Sequence, residues 1–369
     1  SGLRSDINQL LNWKQAPFVM DRPKDGRIRP VTAKNLREVF CALAGFAINI
    51  YGAQNITSLP TLITKEIVGK FAEWSLAERG VKPGTIQHVI RLISGPMTQY
   101  PAYKSLDQSW LKTILDALPI EPRSEGKARK AKKYLEYGVV EAIPATIHAG
   151  RSAAAKKGGR HLAKLVQDEL MMRWLSILPW RQRNVRECRI GGPIPNLFKG
   201  PIAPFSVVDK PAWVVESERA NPNAQFWQFK FSTAETKTGI EVEALLPRQL
   251  IEPLEEYLSS FRPQMLKGNN PCTLFINGDG NEMTQQNVTH AISSLTLRYA
   301  GRRVTPHLFR DVVAFAWLKE HSGDYLSLSK LLWHSNINTT IFYYGGRFNE
   351  SSGVVAMENW RTERDARSA

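Results

Sequence analysis

Between residues 33 and 118 the apolar positions recur at helical spacing, and capping residues divide them into segments. Thr32 predicts the start of a helix that runs through Tyr51. Thr64 opens a second, with Ile67, Phe71 and Trp74 on one face before Gly80 ends it. Thr85 opens a third, IQHVIRLIS, and Ser109 a fourth, WLKTILDAL, which Pro119 stops. The pattern predicts a four-helix domain over residues 31–120, preceded by an N-terminal extension of residues 1–30.

From residue 134 the periodicity is mixed. A helix is expected from Leu162 to Leu178, followed by PWRQRNVRECRI and an irregular, proline-rich passage, GGPIPNLFKGPIAPF. AWVVE, FWQFKFS and IEVEALL read as strands, and AETKTG forms the turn between the last two, a hairpin with a lysine at its tip. Helices return at 247–260, after Thr284, and after Thr305-Pro306, where a threonine cap precedes proline at the first helical position. The expected fold class is mainly α with a small antiparallel β-sheet. An α+β domain spans 134–345, joined to the first by a basic linker at 121–133 and followed by a tail at 346–369. Within the tail, GVVAMENW at 353–360 has the spacing of a short docking helix, on a neighbouring protomer or on its own domain.

Composition is consistent with two cores, since 43% of the 369 residues are hydrophobic. Lysine and arginine outnumber the acids 49 to 34, giving a net charge of +15, so the long-range field favours a polyanionic partner, nucleic acid first. Two basic runs concentrate that charge, RSEGKARKAKK at 123–133 and RSAAAKKGGRHLAK at 151–164. Both read equally as solvated surface, but they flank a domain boundary, where contacts to a duplex backbone are useful. Arg123, Lys127, Arg129, Lys130, Lys132, Lys133, Arg151, Lys156, Lys157 and Arg160 are therefore the candidate phosphate contacts. Cys41, Cys188 and Cys272 have neither disulfide nor zinc-ligand spacing, which fits a reducing compartment. The longest apolar run, VFCALAGFAI at 39–48, is too short to span a bilayer, and no secretory signal is visible. The opening Ser-Gly, without methionine, is compatible with a cleavage scar and a natural protein that extends further towards its N-terminus.

The candidate chemistry lies near the C-terminal end. HLFR places His307 and Arg310 on one side of a helix whose Leu308, Val312 and Phe315 form a different, apolar side. Beyond SLSKLLW comes HSNINTTIFYYGG, in which Tyr343 stands nine residues after His334 on a short helix opened by Asn338 or Thr339. His88, His148, His161, His290 and His321 share no ligand spacing and read as surface or core residues.

These motifs resemble those of the tyrosine recombinases, or phage-type integrases. HLFR at 307–310 and WHSNINTTIFYY at 333–344 are similar to the family's second arginine box and its histidine–tyrosine box. TKTG at 236–239 is similar to its hairpin lysine, and LPWRQRNVRECRI at 178–190 to its first arginine box. The resemblance implies a C-shaped two-domain clamp, a helical core-binding domain plus a catalytic domain, that cuts and rejoins DNA without metal, ATP or other cofactor. Tyr343 would attack the scissile phosphate to leave a 3′-phosphotyrosyl bond. Arg181 and Arg310 would hold the nonbridging oxygens, Lys237 would protonate the leaving 5′-oxygen, His307 would take the tyrosine proton and His334 would hydrogen-bond the phosphate. Arg181 best fits the first box because Val185 and Cys188 then fall on apolar positions, with Arg183 and Arg186 as alternatives. Two residues depart from the family pattern. Asn184 stands where an acid is usual, and Trp333, expected to pack on the preceding helix, stands where glycine is usual.

The implied partner is double-stranded DNA bearing specific recombination sites, with a homo-tetramer assembled on two duplexes, in a bacterial cytoplasm or nucleoid and away from membranes. The process implied is integration, excision or resolution of a mobile element. Type IB topoisomerases and telomere resolvases use similar residues, and a DNA-binding architectural protein could keep the fold without the chemistry.

Overall fold

In a computed structural model of the chain, the described residues are 2–20, 22–23, 26–119, 134–202 and 210–345, with 357, 358, 360, 361 and 364. The chain forms two compact units, Ser1–Ala128 and Arg129–Ala369. Six of the expected phosphate contacts, Arg123, Lys127, Arg129, Lys130, Lys132 and Lys133, lie outside the described residues, as does most of the tail with its expected docking helix.

The first unit contains α1 (Gly2–Gln15), α2 (Pro30–Asn49), α3 (Leu59–Leu62), α4 (Lys65–Ala77), α5 (Pro83–Gln99) and α6 (Ser109–Ala117). The four expected helices are α2, α4, α5 and α6. Thr64 caps α4 by accepting the Ile67 N–H at 3.2 Å. α2 and α5 begin two residues before the expected threonines, on Pro30 and Pro83, whose fixed φ and missing N–H suit a first helical turn. Within the N-terminal extension, α1 buries Ile7, Leu10 and Leu11 in the same core as Leu36, Phe40 and Leu43 of α2.

The second unit opens with α7 (Tyr137–Ala149), α8 (Arg151–Lys156), α9 (Gly159–Ile177) and the short α10 (Gln182–Arg186). α9 runs through the core, with Val166, Leu170, Met171, Trp174 and Leu175 fully or almost fully buried. Its buried Gln167 is satisfied on both sides, accepting from the Tyr257 hydroxyl at 2.6 Å and the Ile276 N–H at 3.0 Å while donating to the Ile276 carbonyl at 2.9 Å.

An antiparallel sheet of order β1-β2-β3 follows, made of β1 (Leu197–Gly200), β2 (Phe226–Phe231) and β3 (Val242–Leu245). Leu197 lies opposite Phe229, and Phe231 opposite Val242. Two sequence readings are corrected here. AWVVE is not a strand but the start of α11 (Ala212–Ala220), in which Val214 alone is buried and Ser217 bonds back to the Trp213 carbonyl. A five-residue apolar run cannot separate the two periods, and the helix-forming ESERA that follows decides it. The first strand comes instead from NLFKG, within the passage read as irregular. Asn196 anchors it, its side chain accepting the Arg189 N–H at 2.6 Å and donating to the Glu187 carbonyl at 2.8 Å.

α12 (Arg248–Glu256) continues through a π-turn and a 3₁₀-turn to Met265. α13 (Gln285–Ala300) starts with a reciprocal capping box between Thr284 and Asn287. α14 (Pro306–Glu320) starts on the expected Thr305-Pro306 pair. α15 (Tyr325–Leu331) and α16 (Ile337–Tyr344) complete the unit. The cap of α16 is Asn336, which accepts the Asn338 N–H at 2.8 Å, rather than Asn338 or Thr339. No helix among the described residues is long and apolar enough to cross a membrane.

Trp180 joins these elements. Its ring centroid lies 5.1 Å from Trp174 on α9, 4.9 and 5.1 Å from Phe229 and Phe231 on β2, and 5.4 Å from Trp333 in the loop before α16. Being 1% exposed, it leaves a large void when truncated, so Trp180→Ala is expected to cost about 3–5 kcal/mol, read as a lower urea midpoint for the second unit.

Candidate active site

Arg310 occupies the first turns of α14 and is 4% exposed. Its guanidinium donates to two main-chain carbonyls, Pro179 and, at 2.6 Å, Leu332. Each of those carbonyls lies two residues before another candidate, Arg181 and His334. One buried side chain thus fixes both segments. Burial, and then the neighbouring Arg181 charge, lower the Arg310 pKa to about 10.

Arg181 is the N-cap residue of α10, extended at φ −64° and ψ 144°, so its side chain leaves the helix start. Its Nη1 is buried with no hydrogen-bond partner, and burial lowers its pKa. An unmet buried cationic donor is costly unless a ligand completes it. Arg183 and Arg186, the alternatives at this box, both pair with Glu187. Asn184, where the family resemblance puts an acid, donates to the Glu235 carbonyl at 3.3 Å, reaching the hairpin rather than an arginine.

His334 follows Trp333, whose φ of 52° is left-handed. That conformation explains why glycine suits the position, and costs a tryptophan about 1–2 kcal/mol. Trp333 packs among Trp180, Phe229 and Phe231, where its burial offsets the strain. His334 Nδ1 lies 2.8 Å from the Thr340 hydroxyl on the buried face of α16. Burial, then Arg310, then Arg181 lower its pKa to about 4, so the ring is neutral at pH 7.

His307, on the first turn of α14, is exposed. Lys237 is also exposed, at the β2–β3 hairpin tip. The residues around it are tied down, Thr236 donating to the Ile240 carbonyl at 2.6 Å and Thr238 to the Trp333 carbonyl at 3.1 Å.

The two tyrosines separate. Tyr343 is 64% exposed, whereas Tyr344, four residues after Thr340, is on the buried face and donates its hydroxyl to Asp311 at 3.0 Å. Burial, then the Asp311 charge, raise the Tyr344 pKa against the opposing fields of Arg310 and Arg181. The structure therefore gathers Arg181, Arg310 and His334, adds Asp311 and Tyr344, and leaves the Tyr343 ring in solvent beside Phe342. Sequence reasoning misses Asp311. Its only signal is adjacency to Arg310, because the Tyr344 partner lies 33 residues away.

Of the described phosphate candidates, Lys156, Lys157 and Arg160 are exposed. Arg151 is not available in the same way. It is drawn inward between Glu169, at 2.8 Å, and Glu256, at 2.7 and 3.0 Å, so its donors serve the fold.

Residues 221–350 match the phage integrase family. Lys237, His307, Arg310, His334 and Tyr343 fall inside that span, and Arg181 outside. The chain is similar to the tyrosine recombinase XerD of Staphylococcus epidermidis, 33% identical over 95 residues, covering 26% of this chain and 32% of that protein. It is likewise similar to the tyrosine recombinase XerC of Natranaerobius thermophilus, 33% identical over 112 residues, 29% of this chain and 37% of the relative. The matched stretch thus spans about a third of these relatives' length. In fold, the chain is similar to the XerH site-specific recombinase in its post-cleavage complex with palindromic difH substrate, at a TM-score of 0.55 and 15% identity, covering 96% of this chain and 95% of that one. It is also similar to a lambda integrase (75–356) dimer bound to a COC′ core site, at a TM-score of 0.53 and 12% identity, covering 94% and 97%.

The low His334 pKa has a testable sign. A histidine whose folded pKa lies below its unfolded value of 6.5 contributes stability that is present above 6.5 and lost as pH falls through about 4. An NMR titration of the His334 ring is expected to show a midpoint near 4, shifting upward when phosphate or DNA occupies the arginine pair. A midpoint near 6.5 would mean that the ring does not feel the two cations.

Proposed function

We propose that the protein is a site-specific DNA recombinase that cleaves and rejoins strands through a 3′-phosphotyrosyl intermediate, in the integration, excision or resolution of a mobile element. The observation that carries this reading is the pair of partly buried guanidiniums, Arg181 and Arg310, with the Nη1 of Arg181 unmatched and a neutral His334 beside them. A nonbridging phosphate oxygen supplies the missing acceptor, and the extra charge of a pentacovalent phosphorane interacts more strongly with both cations than the ground state does.

Tyr343 is the nucleophile in this reading. Its hydroxyl is accessible, whereas that of Tyr344 is buried and already gives its proton to Asp311, so exposing it would break the packing with Phe315. DNA then brings Tyr343 to the phosphate. The phosphorus–oxygen bond to Tyr343 forms and the bond to the 5′-oxygen breaks. That oxygen leaves with its electron pair and takes a proton from Lys237, while the phenol proton passes to His307. The first unit and the exposed Lys156, Lys157 and Arg160 contact the duplex backbone, and four protomers on two duplexes exchange strands in a bacterial cytoplasm.

A suicide duplex made from the element's end sequence tests the chemistry. Wild type is expected to form a covalent DNA–protein adduct, Tyr343→Phe to lose it with binding kept within a few-fold, and Tyr344→Phe to retain it. Mass spectrometry that finds the nucleotide on Tyr344 would reassign the nucleophile to the buried position. Recombinant joints between two labelled duplexes distinguish a recombinase from a topoisomerase, which reseals the same strand.

A further inference from the structure

The hairpin that carries Lys237 holds a polar hub that the roles above do not use. Glu235, two residues before the lysine, has a largely buried carboxylate bound on both oxygens. Oε1 accepts from Arg189 Nη2 at 2.6 Å and Asn196 Nδ2 at 3.2 Å, and Oε2 accepts from the Ser232 N–H and hydroxyl, both at 2.8 Å. Its main-chain carbonyl accepts from Asn184 at 3.3 Å. Arg189 also grips the Ile194 carbonyl through Nε and Nη2, at 3.1 and 3.0 Å. Three separate stretches therefore converge on Glu235: the segment following Arg181, the loop leading into β1, and the start of the hairpin turn.

We infer that Glu235 is a positioning residue that sets the hairpin tip so that the Lys237 ammonium meets the leaving 5′-oxygen. An exposed lysine on a four-carbon stem cannot fix its own location, and proton transfer requires the acid within hydrogen-bond reach of the departing atom. The turn residues on either side of Lys237 do have fixed places. Upstream, Glu235 is clamped to the arginine-box segment. Downstream, Thr238 donates to the Trp333 carbonyl, one residue before His334. Lys237 is suspended between the two segments that Arg310 fixes, so the acid is indexed to the same frame as the phosphate cradle. The hydrogen bonds and the arginine draw the Glu235 pKa, against burial, down to about 2, so the carboxylate is charged throughout the working range. Asn184 belongs to the same device. Where the family resemblance leads one to expect an acid, an amide at this position donates to the Glu235 carbonyl, a bond an ionised carboxylate could not make.

This inference rests on the reading of Lys237 as the acid, and the test separates the two. Full-length wild type, Lys237→Ala, Glu235→Ala and the double variant are each assayed on a suicide duplex with the ordinary 5′-oxygen and on one with a 5′-bridging sulfur, which departs without a proton. The ratio of the two rates within one preparation is the readout, because it cancels any loss of folded protein. Lys237→Ala is expected to slow the oxygen substrate about 10²- to 10⁴-fold and to recover on sulfur. Glu235→Ala is expected to slow the oxygen substrate about tenfold to a hundredfold with the same recovery, and to add nothing in the Lys237→Ala background. Equal loss on both substrates in Glu235→Ala, while Lys237→Ala recovers, would overturn the positioning role and leave the acid in place. Failure of Lys237→Ala to recover on sulfur would overturn both.

Discussion

A guanidinium with no room for water must find acceptors, and the way Arg310 finds them organises the second unit of this protein. It takes two main-chain carbonyls, Pro179 and Leu332, from segments 131 and 22 residues away in the chain. Carbonyls satisfy its donors without cancelling its charge, as a carboxylate would, so the cation remains available to an anion. Arg181 and His334 follow those carbonyls by two residues each and inherit their positions. The cost of this arrangement is electrostatic. Burial, and then the repulsion from Arg181, lower the Arg310 pKa, and burial together with the two cations holds His334 neutral.

That electrostatic frame is supported by an apolar one. Trp180 and Trp333 stand next to Arg181 and His334, and their rings meet each other and Phe229 and Phe231 of the sheet. Alternation along the chain, aromatic then polar, places Arg181 and His334 each beside an anchor with little rotational freedom. Rigidity is therefore local to the residues that must not move. Lys237 and Tyr343 remain on exposed positions.

Legibility in the sequence followed the range of the interaction. The capping box at Thr284 and the Thr305-Pro306 start were readable because three residues contain all the information. The motif spacing fixed which residues to examine for Arg310, His334 and the tyrosines, but not which tyrosine is buried. That depends on Asp311 meeting Tyr344 across the packing of α14 against α16. AWVVE and NLFKG were misread because each is short: the helix-forming ESERA that follows draws the first into a helix, and pairing with β2, which no local pattern announces, makes the second a strand. Arg151 read as a surface cation because nothing local announces Glu169 or Glu256.

Trp333 shows how a departure from a family's usual residue becomes difficult to reverse. Its backbone is in the region that glycine occupies freely, yet its ring fills a space walled by Trp180, Phe229 and Phe231. A return to glycine relaxes the main chain but opens a void bounded by three other aromatics. Those three, in turn, have sizes that make sense only while the tryptophan is present. The four rings form one packing unit, in which a change at any one position alters the space that the other three fill.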